Sequence, residues 1–135
     1  MLLQILIGAG LAVATLSLAA MSGLHRERAF YATMLCAIAV FYVVFAVEEE
    51  TVASIVRQSL YTAPFFVLAA VGYRTKRALI ALGLALHALF DVVMHATGGP
   101  APGWWAGLCP GFDGVFALAA LRLAPGREAL RKAAA

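Results

Sequence analysis

The chain has 135 residues, 64% of them hydrophobic and 13% charged, with a net charge of +3 and a mean hydropathy of +0.92. Soluble domains carry about a quarter charged and roughly half apolar residues; here the apolar excess runs along the whole chain, which excludes both a soluble domain and one held by a single anchor. The basic residues gather at segment ends and form no nucleic-acid patch, and the two cysteines, Cys36 and Cys109, stand in apolar surroundings and make no disulfide framework.

Residues 2–22, LLQILIGAGLAVATLSLAAMS, open the chain with an apolar run that has no positive charge before it, while HRER follows it. This is the pattern of a retained first transmembrane helix and not of a cleaved leader. The second segment is 29–47, the third 52–73 with Pro64 inside it, the fourth 78–96 and the fifth 104–124. Each is near the roughly 20 residues that cross about 30 Å of hydrocarbon. Helices are required, because lipid offers no partner to unpaired backbone groups and nothing here alternates like barrel strands. The expectation is a single all-α membrane domain, 1–135, a bundle of five transmembrane helices, with REALRKAAA as a surface helix or frayed end.

Orientation follows from the basic residues. Arg26 and Arg28 follow the first helix, Arg74, Lys76 and Arg77 the third, and Arg122, Arg127, Arg131 and Lys132 the fifth. Five helices put all of these on one side, leaving only Arg57 elsewhere, and the positive-inside rule makes that side cytoplasmic. The N-terminus is then outside and the C-terminus inside a bacterial inner membrane. Eight arginines against two lysines, with abundant alanine, fit a GC-rich bacterial source. The outer face receives Glu48, Glu49 and Glu50 and the helix-breaking loop TGGPAPG, with Trp104 and Trp105 at the lipid interface on re-entry.

That loop joins two antiparallel neighbours, so their depths can be matched. With its centre near residue 100, positions summing to about 200 share a level: His87 faces Asp113 and Asp91 faces Cys109, with His87 and Asp113 some ~15 Å below the outer end. Within the fourth segment the spacing is H-x3-D-x3-H, so Asp91 can share a hydrogen bond or a ligand with His87 or with His95, while the two histidines, ~12 Å apart along the axis, are too far to ligate one ion together; Cys109 and Asp113 repeat the four-residue step. A carboxylate at the middle of a span costs about 2.5–3.5 kcal/mol on insertion scales before a partner compensates it. Interhelical hydrogen bonds in membranes return only ~0.6 kcal/mol on average, so a polar clamp alone explains these residues poorly. Imidazole, carboxylate and thiol together suit a divalent metal, zinc in type, or a proton-transfer centre, opening toward the outer side. Glu48 is a candidate extra ligand; Glu49, Glu50, Arg57 and Gln58 form the supporting outer polar set.

HALFDVVMH, the Gly/Pro loop after it and GLCPGFDGVFAL together resemble an uncharacterised family of small bacterial polytopic membrane proteins with H-x3-D-V-V-x-H and C-x3-D motifs. The resemblance covers about residues 74–122, with Met94 where a second adjacent histidine is expected. It implies that these residues act as a group and brings no reaction with it. The expected activity is a metal-dependent membrane enzyme, hydrolytic in kind, acting on a lipid or lipophilic small molecule. There His87, Asp91 and Asp113 would hold the metal or serve as acid and base. The alternatives are a small ion- or proton-coupled transport protein, functioning as a homo-oligomer, and a structural accessory subunit.

Overall fold

The computed structural model describes residues 1–48 and 51–122, and within them it is all helical, without strands. Five α-helices follow in order: α1 (Leu2–Ser22), α2 (Arg28–Glu48), α3 (Val52–Arg74), α4 (Arg77–Ala96) and α5 (Trp105–Arg122). Glu49, Glu50, the last two residues expected for the fifth helix and the basic tail beyond them lie outside the described residues. Four of the helices, α1 to α4, are long and apolar enough to cross a membrane.

The breaks between helices have local causes. α1 ends at Gly23, whose φ of 79° lies in the left-handed region that suits glycine, and a single 3₁₀ turn, Leu24–Arg26, leads into α2. Thr51 caps α3, its hydroxyl accepting from the Ser54 amide at 3.3 Å. α3 then continues unbroken through Pro64. Where α3 ends, Arg28 donates to the carbonyls of Tyr73 at 2.9 Å and Thr75 at 3.1 Å, and Arg77 donates to the Arg26 carbonyl. A cation at a helix C-terminus satisfies orphan carbonyls and complements the dipole, so two arginines tie this basic end of the bundle together.

α2 packs on α3, α3 on α4 and α4 on α5, and α4 also touches α2. α1 lies on the far side of α5. That contact is made through glycine: a Cβ on Gly8 would collide with the Leu108 carbonyl, and one on Gly111 with the Ile5 carbonyl. Only such small residues let two helix backbones approach this closely in a membrane-type interface. Large apolar side chains are exposed along the bundle, Leu3, Leu6, Leu60, Val67, Leu89 and Leu118 among them.

α5 differs from the others in composition. It carries Asp113, Pro110 and three glycines, and it falls outside the set apolar enough to cross by that measure. The reason is its position: flanked by α1 and α4, it buries Trp105, Gly107, Cys109, Gly111, Asp113, Phe116 and Ala120. A helix lined by protein needs close-packing and polar residues more than it needs a lipid-facing surface.

Candidate metal centre

The buried stripe of α4 runs Ile80, Leu84, His87, Asp91 and Met94, and that of α5 runs Cys109, Asp113, Phe116 and Ala120. Both follow the three- and four-residue steps of a helix face. Facing each other, the stripes bring His87, Asp91, Cys109 and Asp113 into one group whose potential ligand atoms all lie within 4.8 Å of one another.

His87 is the hub. Its Nδ1 lies 2.8 Å from Asp113 Oδ2, 3.4 Å from Asp91 Oδ2 and 3.9 Å from Cys109 Sγ. The Cys109 thiol donates to Asp113 Oδ2 at 3.7 Å. The approach of Asp91 Oδ2 is too poorly aligned to be a hydrogen bond, so this oxygen, Asp113 Oδ1 and His87 Nε2 are buried without hydrogen-bond partners. Bonds of 2.0–2.3 Å to a tetrahedral ion place neighbouring ligand atoms roughly 3.3–3.8 Å apart. The separations of His87 Nδ1 from its three neighbours and of Cys109 Sγ from Asp113 Oδ2, 2.8, 3.4, 3.9 and 3.7 Å, depart from this range by no more than about half an ångström.

His87, Asp91 and Asp113 are 0% exposed and Cys109 is 1% exposed. The wall around them is aromatic. Phe65 of α3 meets the His87 ring edge-on at 4.9 Å between centroids, with Phe90 and Tyr42 beside it. Tyr42 of α2 also donates its hydroxyl to Asp91 Oδ1 at 2.7 Å. That bond occupies one carboxylate oxygen and leaves the other facing His87. Three helices thus define the group: two supply ligand atoms and the third orients one of them.

The remaining candidates are placed elsewhere. His95 is exposed and outside the group. Eight residues turn a helix by about 80° beyond two full turns and carry it about 12 Å along the axis from His87, so the four-residue steps do not keep it on the buried face. Glu48, the last residue of α2, is exposed and outside the group as well. Arg57 is exposed, its guanidinium donating to the Ser54 hydroxyl at 3.5 Å. Gln58 is buried on α3, its backbone carbonyl accepting from the Thr62 hydroxyl at 2.9 Å, and it too lies outside the group.

Tyr42 was not legible as a site residue from spacing within the hairpin. A signal existed, however: it stands six residues from the end of α2 at Glu48, and Asp91 stands five from the end of α4 at Ala96, which sets the two at one depth. Partners that orient a ligand typically change metal affinity 10–100-fold when lost. If the group holds a metal ion, Tyr42→Phe is expected to weaken its binding by about tenfold while leaving the helical content unchanged, as read by metal titration and circular dichroism in detergent.

No protein-family model, curated protein or solved structure matches this chain.

Proposed function

We propose that the chain is an integral membrane protein of five spans that holds one divalent metal ion, zinc in type, between α4 and α5. The observation that carries this reading is the convergence of a nitrogen, two carboxylates and a thiol within 4.8 Å, all buried. Unpaired carboxylate oxygens in such a place are expensive, and a cation bound to them would offset that penalty. The basic end of the bundle would face the cytoplasm, α5 would complete the fifth span against α1 and α4, and the centre would lie in the outer half of a bacterial inner membrane.

Four protein ligands make a closed centre; catalytic zinc sites keep one position for water. The geometry thus favours a centre that binds its metal firmly. Turnover of a lipid or other lipophilic molecule would require one ligand, with Cys109 or Asp91 the candidates, to give way to water.

A second reading is supported by a specific feature. Tyr42 bonds Asp91 at 2.7 Å and His87 bonds Asp113 at 2.8 Å, with Asp91 Oδ2 3.4 Å from the same His87 Nδ1; a reorientation at that gap would join the two pairs into a proton path that would serve an ion-coupled transport protein.

Elemental analysis separates the two. Protein purified in detergent without a histidine tag is expected to carry about one metal ion per chain, and His87→Ala and Asp91→Ala variants that remain helical are expected to carry none. A wild-type protein with no metal even after supplementation rejects the metal centre. Proton flux in vesicles that His87→Ala abolishes would then support the relay.

A further inference from the structure

α1 and α4 each pack on α5 but make no close backbone approach to one another. Between them a groove of about 670 Å³ runs along the outer surface of α5. Its floor is small, with Ala81, Gly114 and Ala117, and exposed Leu82 and Leu118 form its rims. Gly114 is open: a Cβ there would meet nothing within 4 Å. This is the reverse of Gly8 and Gly111 on the neighbouring seam, where a Cβ would strike backbone.

Three features say what the groove takes. Its lining on α5 extends from Pro110 to Leu121, about 16 Å at 1.5 Å per residue. That matches the roughly 15 Å of hydrocarbon in one bilayer leaflet, half of the whole core. Its volume falls within the about 300–1,000 Å³ typical of small-ligand sites. And one end borders on charge: Ala78 and Leu121 line the groove there, and the exposed Lys76 and Arg122 stand next to them in sequence.

We propose that the groove is a binding site for one acyl chain of an anionic phospholipid, whose phosphate is held at Lys76 and Arg122. An acyl chain buries its methylenes against the alanine and glycine floor and reaches from mid-membrane to the basic end. There its headgroup supplies the negative charge that Lys76 and Arg122 attract, worth roughly fivefold in affinity for each basic residue. A second copy of the chain is the poorer occupant. Copies inserted in the same direction carry their basic ends at the same depth, so docking would set like charges side by side. The proposal rests on the chain being embedded in a membrane and is independent of the metal centre.

Native mass spectrometry in mild detergent, with phosphatidylglycerol or phosphatidylcholine added, tests it. Wild-type protein is expected to retain about one phosphatidylglycerol and to prefer it over phosphatidylcholine by at least roughly tenfold. Gly114→Phe and Ala85→Phe, which place a ring in the groove, should each lower retention at least tenfold. The double substitution Lys76→Gln with Arg122→Gln should keep lipid but erase the preference. Should Gly114→Phe fail to fold, Ala85→Phe, at an exposed position, decides. Equal retention of the two lipids by wild type, or unchanged retention in the ring variants, overturns the proposal. So does a dimer that the ring variants dissolve, which would make a second copy the occupant. Flotation of the protein with vesicles, measured alongside, shows whether a failure belongs to the groove or to the membrane reading itself.

Discussion

Asp113→Ala is expected to eliminate metal-dependent stabilisation and to weaken the metal-free bundle as well. Asp113 Oδ2 is 2.8 Å from His87 Nδ1 and receives the Cys109 thiol, and all three side chains are buried. Removing one partner from a buried pair of this kind typically costs about 3–5 kcal/mol, because the other is left without compensation in a medium that cannot solvate it. A ligand that binds only the folded state adds stability in proportion to the logarithm of its concentration. Zinc at one hundred times its dissociation constant should therefore raise wild-type stability by about 2.7 kcal/mol. Thermal unfolding in detergent, with zinc and then with excess chelator, reads both effects. The wild type should gain and lose the increment reversibly, and Asp113→Ala should show none. An equal zinc shift in wild type and variant would place the metal elsewhere on the protein and remove the centre from these four residues.

The second large effect runs in the opposite direction. When His87→Phe, Asp91→Leu, Cys109→Ala and Asp113→Leu are combined with Tyr42→Phe, no buried polar group of the cluster remains to be satisfied. Replacing a whole buried ionic set by apolar groups is often neutral or stabilising by about 1–4 kcal/mol. The five-fold variant is thus expected to match or exceed the stability of the metal-free wild type and to bind no metal. If the residues served only to clamp α4 to α5, their removal would instead loosen the hairpin, and the variant would melt below the metal-free wild type. The comparison distinguishes a group maintained for its chemistry from one maintained for packing. It needs only unfolding curves and a metal assay.

The hairpin was the readable part of the site. TGGPAPG is short, so α4 and α5 must be neighbours, and a helical rise of fixed size converts residue number into depth. That arithmetic sets His87 opposite Asp113, and the structure brings their side chains to 2.8 Å. Contacts between helices distant in sequence were not readable in the same way. Hydropathy says that α2 is a candidate span but not which helices it touches, so the Tyr42 bond to Asp91 across 49 positions had only a depth match to announce it. His95 shows the limit of periodicity itself: steps of four drift around a helix of 3.6 residues per turn, and by the second step the side chain has left the buried face. α5 shows the limit of hydropathy. Its glycines and Asp113 lower its apolarity because it is lined by other helices, so the scale that reveals lipid-facing segments ranks the most enclosed one last.

The glycine seam between α1 and α5 also dictates an order of assembly. α1 buries little of itself, Gly8, Ala12 and Ala19, and the face bearing Gly8 fits against α5. Synthesis runs from the N-terminal side, so α1 exists before its partner on α5, about one hundred positions later, and on the membrane reading it would enter the bilayer alone. During that interval the Leu108 backbone that fits against Gly8 is missing. Pairing distant segments is slow compared with pairing neighbours, and the hairpins α2–α3 and α4–α5 can close before α1 is captured. A helix made well before its partner is then fixed late, and its docking on α5 closes the seam.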